Sequence, residues 1–154
     1  MPHYHIWTIG CQMNKAASES IAAFLEQCGY RPTSKLDSAD IVVLNSCVVR
    51  QSAESKVANK IDALRRLDDG KTLAVTGCIV DANVDGLHER FPRVDLFFGP
   101  QDVSRLSEYL QGRGLVESSA VVQNIPVKAS ISSLINIMHG CNNFCSYCIV
   151  PYRR

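Results

Sequence analysis

Three cysteines fall within eight residues in the stretch GCNNFCSYC: Cys141, Cys145 and Cys148, with the spacing C-x3-C-x2-C. In a loop, that spacing lets three thiolates bind three irons of a 4Fe-4S cube while the fourth iron stays open. A zinc ion would normally want a fourth protein ligand, which GCNNFCSYCIVPYRR does not offer nearby. The bland alternatives are chance clustering or a disulfide loop. His139, two residues before Cys141, is the one histidine placed to attract attention, and packing or solvation suits it better than ligation.

A second set is dispersed. Cys11, Cys47 and Cys78 each close a β-rich run: YHIWTIG (Tyr4 to Gly10) just before Cys11, IVVLNSC (Ile41 to Cys47) and LAVTGC (Leu73 to Cys78). In an open parallel α/β sheet, ligands gather outside the carboxyl ends of the strands, so these three thiols are expected to share one crevice. Convergent thiols preceded by Gly10 and Gly77 suit an iron-sulfur cluster, or a zinc ion with one open position. Taken singly, each reads better as a small buried hydrophobe at a strand end, and it is three at the same topological position that favour a shared site. Cys28, before Gly29 at a helix end, is read as structural. Asn14, Ser18 and Glu19 follow Cys11, and Arg50, Ser52 and Glu54 follow Cys47; they suit either a site or plain helix caps and first-turn charges.

The elements that must position these residues follow from periodicity. A fourth strand is read at DLFFG (Asp95 to Gly99), and helices are read at Ala16 to Gln27, around Val57, Ile61, Leu64 and Leu67, at Val84 to Arg90, and after Pro100 with Val103, Leu106 and Leu110 inward. Strands alternating with helices predict an α/β fold with an open, mainly parallel sheet and flanking helices over residues 1–111. Residues 112–133, GRGLVESSAVVQNIPVKASISS, read as a linker. A new strand, LINIMHG (Leu134 to Gly140), then leads into the cysteine triplet, so that residues 134–154 form a unit of their own.

With 154 residues, 46% apolar and 20% charged, the chain is of ordinary globular composition and has room for one domain and a remnant. A formal charge of +1 supplies no general field for nucleic acid. No export signal and no apolar run of the roughly 18 residues of a membrane span is present, so a cytoplasmic protein is the expectation. Seven cysteines in that compartment point to metal or redox chemistry rather than a disulfide framework.

The triplet, with Tyr147 just before its last cysteine, resembles the radical S-adenosylmethionine signature C-x3-C-x-aromatic-C. TIGCQMN, LNSCVVRQSAESK and VTGC resemble the amino-terminal domain of the methylthiotransferases, and the likeness covers essentially the whole chain. Within that family the chain looks most like the MiaB-type tRNA 2-methylthio-adenosine synthases. It departs from the family pattern at Ala17, where Asp is common, and at GCIVD, where Gly-Cys-x-Ala-Gln is common.

The resemblance implies two 4Fe-4S clusters. Cys11, Cys47 and Cys78 would hold an auxiliary cluster that supplies the sulfur. Cys141, Cys145 and Cys148 would hold the radical cluster, whose open iron chelates S-adenosylmethionine beside Tyr147. It implies a tRNA partner as well, with a methylthio group inserted at C2 of a prenylated adenosine next to the anticodon. The electron and sulfur donors are not specified. Other classes are a non-catalytic iron-sulfur or metal scaffold module, and a methylthiotransferase acting on threonylcarbamoyl-adenosine or on a ribosomal protein. Read as an amino-terminal fragment ending in the first strand and cluster loop of a radical-SAM barrel, the chain is expected to be inactive alone. Arg153 and Arg154 are read as a solvated basic end rather than as an RNA contact.

Overall fold

The segment IVVLNS has no alternation of apolar and polar residues, and all six of its residues are buried. That pattern belongs to a strand covered on both faces, as in a parallel sheet. The computed structural model describes residues 1–47, 51–64, 70–80, 84–116, 134, 137–138, 140–148 and 150–153. In it this segment is β3 (Ile41–Ser46), central in a sheet with β1 (His3–Ile9), β2 (Arg31–Pro32), β4 (Thr72–Gly77) and β5 (Leu96–Phe98). The order is β2-β1-β3-β4-β5, and every pairing is parallel.

Pleating sends alternate side chains to opposite faces. Ile41, Val43, Ala74 and Phe98 therefore join one core with helices α1 (Gln12–Gln27) and α4 (Val103–Gly112). Val42, Leu44, Leu73, Val75 and Phe97 join the other core with α2 (Gln51–Leu64), and Leu87 of α3 (Val84–Arg90) packs against it. Each fully buried Leu, Ile or Phe stabilises the fold by about 1.5–3 kcal/mol. Helix α1 ends on a Schellman turn: the Gly29 N–H donates to Glu26 and the Tyr30 N–H to Leu25.

The expected α/β sheet with flanking helices is present, and its strands and helices begin or end within a few residues of the sequence reading. Three features differ. Helix α1 starts at Gln12 rather than Ala16, directly after Cys11. Strand β2, Arg31–Pro32, was not anticipated: it is two residues long and lies at the sheet edge, where a proline without an N–H is tolerated.

The third is the strand expected from Leu134 to Gly140. Leu134, Ile137, Met138 and Gly140, its described residues, are in no strand. Ile137 is 93% exposed and Met138 72%, and a strand with no partner to pair with is not stable by itself. A short helix, α5 (Val150–Arg153), follows the cysteine triplet instead. Of the linker, residues 112–116 are described and residues 117–133 lie outside the described residues, as do His139 and Arg154.

Candidate functional site

The strand order runs from β1 outward to β2 in one direction and through β3, β4 and β5 in the other. Between β1 and β3 the connections diverge to opposite faces, which opens a crevice at their carboxyl ends. Register carries the dispersed cysteines there. Ile9 pairs with Ser46, and Ser46 with Gly77. The residues that continue these rows are Gly10, Cys47 and Cys78, with Cys11 one position further along.

Glycine is required at two of these strand ends. Gly77 has φ +100°, and a Cβ there would sit 2.1 Å from the Ser46 carbonyl oxygen. Gly10 has φ +152°, and a Cβ there would lie 2.6 Å from Asn14 Oδ1 and 3.0 Å from the Cys47 Cβ. The bare backbone thus lets the first turn of α1 and the end of β3 close on one another. Cys78 is buried, and its N–H donates to the Ser46 carbonyl at 2.8 Å. Cys47 is half-buried and Cys11, the N-cap residue of α1, is exposed.

A polar network lies beneath these thiols. The Cys11 thiol donates to Asn14 Oδ1 at 3.2 Å. Asn14 Nδ2 donates to Asn45 Oδ1 at 2.9 Å and to the Ser46 carbonyl at 3.1 Å. Asn45 Nδ2 returns bonds to the Asn14 carbonyl at 2.7 Å and to Ser18 Oγ at 2.8 Å, and Ser18 Oγ meets Thr8 Oγ1 at 2.7 Å. Asn14 and Asn45 are both buried. Two further buried hydroxyls, Ser46 Oγ and Thr76 Oγ1, have no hydrogen-bond partner among the described residues.

The structure therefore brings Cys11, Cys47 and Cys78 to one edge. Among the described residues, no three Cys, His, Asp or Glu side chains are grouped to hold a metal ion. Cys141 and Cys148 are half-buried and Cys145 is exposed, on an irregular loop whose Cys148 N–H donates to the Cys145 carbonyl at 2.9 Å. Phe144 in that loop has φ +46°, unusual for a residue with a Cβ. Tyr147 is 90% exposed.

Ser18 is not a helix cap, because α1 begins six residues before it; it belongs to the network instead. Glu19 is exposed and lines an open groove with His5, Thr8 and Thr33. Arg50 lies outside the described residues, while Ser52 and Glu54 fall within α2. Cys28 occupies the C-cap of α1 and packs on the core, and burial pushes its thiol pKa up. Asn45 is the residue the sequence reading missed. Its signal was a carboxamide at the end of an otherwise apolar strand run, where an unpaired polar group is costly.

The model of the uncharacterized protein family UPF0004 matches residues 3–99, from β1 through β5. The chain belongs to this family. The matched part of this UPF0004 member contains Cys11, Cys47 and Cys78, whereas the triplet lies beyond it.

Among its relatives is a tRNA-2-methylthio-N(6)-dimethylallyladenosine synthase of Dehalococcoides mccartyi, 43% identical over 157 residues, covering 100% of this chain and 35% of the relative. Proteins of the same name from Dictyoglomus thermophilum and Clostridium novyi are 38% and 40% identical over 168 and 167 residues. The first covers 100% of this chain and 38% of the relative, the second 98% and 37%. The chain thus spans little more than a third of the length of these curated relatives. Among the described residues, no helix is long and apolar enough to cross a membrane.

Proposed function

We propose that this UPF0004 member is part of a tRNA methylthiotransferase that inserts a methylthio group at C2 of a prenylated adenosine beside the anticodon. Support comes from the name shared by relatives that align with essentially the whole chain. The observation that carries the reading at the level of chemistry is the convergence of Cys11, Cys47 and Cys78 at three adjacent strand ends.

The donor set fits an iron-sulfur cluster. Three soft thiols stand at one sheet edge, and the Ser46 hydroxyl, buried and without a partner among the described residues, immediately precedes Cys47. Thiolates are the ligands that iron-sulfur clusters take. Cys11, Cys47 and Cys78 would hold this auxiliary 4Fe-4S cluster. Cys141, Cys145 and Cys148 would hold a second, with Tyr147 on the side that would face S-adenosylmethionine. When bound, the two clusters would supply sulfur and a single electron for radical chemistry with S-adenosylmethionine, at an adenine position too inert for acid-base attack.

The chain's own residues do the holding. Gly10 and Gly77 let the strand ends approach without side-chain obstruction. The Cys78 N–H bond to Ser46 ties β4 to β3 next to two of the proposed ligands. The exposed Tyr147 ring offers an aromatic surface beside the triplet, suited to stacking on the adenine of the cofactor.

The reading is tested by iron and sulfide content after anaerobic reconstitution. About eight irons per chain are expected, falling to about four in Cys11→Ala and to about four in Cys141→Ala. Tight zinc with no sulfide would overturn it. Complementation of a strain lacking the tRNA modification, with the full-length gene, tests the substrate separately.

A further inference from the structure

We propose that Asn14 and Asn45 form a positioning clasp that sets the placement of Cys11 against Cys47. This rests on the reading of Cys11, Cys47 and Cys78 as ligands of one cluster. The starting observation is that two carboxamides, 2% and 0% exposed, sit where α1 leaves β1 and where β3 ends. Further from the strand ends, β3 fills both its faces with Ile41, Val42, Val43 and Leu44, while Thr8 and Thr76 flank Asn45 in register. An apolar pair would fill the same space without the need to satisfy four amide protons.

All four are satisfied. Asn14 directs both protons to β3, one to Asn45 Oδ1 and one to the Ser46 backbone carbonyl. Asn45 spends both on α1, one on the Asn14 backbone and one on Ser18. The bonds are reciprocal: turning Asn14 over would set its oxygen against Asn45 Oδ1 and the Ser46 carbonyl, and turning Asn45 over would set its Nδ2 against Asn14 Nδ2. With its nitrogen pinned, Asn14 holds Oδ1 3.2 Å from Cys11 Sγ, where it accepts the thiol proton that ligation would remove.

Two backbone positions complete the arrangement. The residue before Cys11 is Gly10, whose missing Cβ is the space that Asn14 Oδ1 and Cγ occupy, at 2.6 and 2.7 Å. The residue before Cys47 is Ser46, whose carbonyl accepts both from Asn14 Nδ2 and from the Cys78 N–H. One carbonyl thus links the elements that carry all three cysteines. Directional bonds fix distance and orientation where apolar contacts fix neither, and the supporting residues of a multi-ligand site need both. Asn14 and Asn45 act through the cysteines and are positioning residues, not ligands.

The experiment uses the intact 154-residue chain in a background of Cys141→Ala, Cys145→Ala and Cys148→Ala, so that iron reports the strand-end site alone. The parent should take up about four irons with matching sulfide after anaerobic reconstitution. Asn45→Ala, and Asn14→Asp, which turns a two-proton donor into an acceptor, should lower that at least fivefold at a temperature where circular dichroism shows folded protein. Whatever cluster remains should show shifted electron paramagnetic resonance after reduction. Val43→Ala, a core truncation on the same face, is the control: it lowers the unfolding midpoint but keeps the iron and the spectrum.

Should the asparagine variants not fold, Ser18→Ala removes only the outer acceptor of the network and should reduce iron about twofold. Asparagine variants with parental iron and spectrum overturn the clasp while leaving the cluster reading intact. Iron loss in Val43→Ala equal to theirs also overturns it, by reducing the clasp to general stability. A parent that takes up no iron or sulfide overturns the cluster reading, and the clasp with it.

Discussion

Cys141, Cys145 and Cys148 are neighbours in sequence, and a single loop presents them with Cys145 and Tyr147 exposed. Cys11, Cys47 and Cys78 lie on three different strand-helix units and share one sheet edge only because β1, β3 and β4 are adjacent in the sheet. The first set is held by local chain geometry, the second by the whole sheet and both cores. The second should therefore fail with anything that loosens the domain, and the first only with changes to its own loop. The contrast yields tests of graded size.

The largest effect is expected from Phe24→Ala. Phe24 is fully buried between α1 and the sheet, and its truncation should cost about 4 kcal/mol in urea unfolding. Strand-end iron should fall with it while triplet iron stays. Gly77→Ala comes next: its Cβ would meet the Ser46 carbonyl at 2.1 Å in a backbone conformation at φ +100°. Strain and crowding together should cost about 3 kcal/mol, and iron at Cys47 and Cys78 should be lost first. If either substitution empties the triplet equally, the two regions are not independent.

A smaller effect involves pH. Burial first, then the hydrogen bond and charge of Glu26, push the Tyr4 hydroxyl pKa well above its ordinary value. A raised folded value gives stability that is fully present below the unfolded pKa of about 10 and is lost as pH rises from there towards the folded value. Tyr4→Phe should therefore flatten the alkaline fall of the urea midpoint. Asp102→Ala removes the side chain that caps α4 through the Arg105 N–H, and should cost about 1 kcal/mol.

The smallest stability change belongs to the loop. One glycine inserted between Asn142 and Asn143 breaks the C-x3-C spacing, and should abolish about four irons. It should shift domain unfolding by less than about 0.5 kcal/mol, as surface changes usually do.

The same contrast explains what could be read in the sequence. Apolar runs gave β3 and β4 nearly to the residue, because both faces of a central parallel strand must be filled. Strand β2 was invisible: Arg31–Pro32 has no strand-forming side chains and exists by pairing with His3 and Tyr4. The start of α1 was missed because Cys11 makes no side-chain cap bond. Its first turn is instead tied to β3 through Asn14, a bond to a residue far along the chain. Ser18 looked like a cap for the same reason.

By itself, the sequence determined the triplet's spacing, the placing of the other three thiols at strand ends and the likeness to the methylthiotransferases, since these depend on residue type and local period. Tertiary structure alone decided that the sheet order puts Cys11, Cys47 and Cys78 side by side, and that Asn14 and Asn45 bind one another beneath them. It also decided that the run from Leu134 forms no strand at its described residues. Each of these turns on pairing between distant segments: register and hydrogen-bond reciprocity belong to two chain segments at once and are written in neither alone.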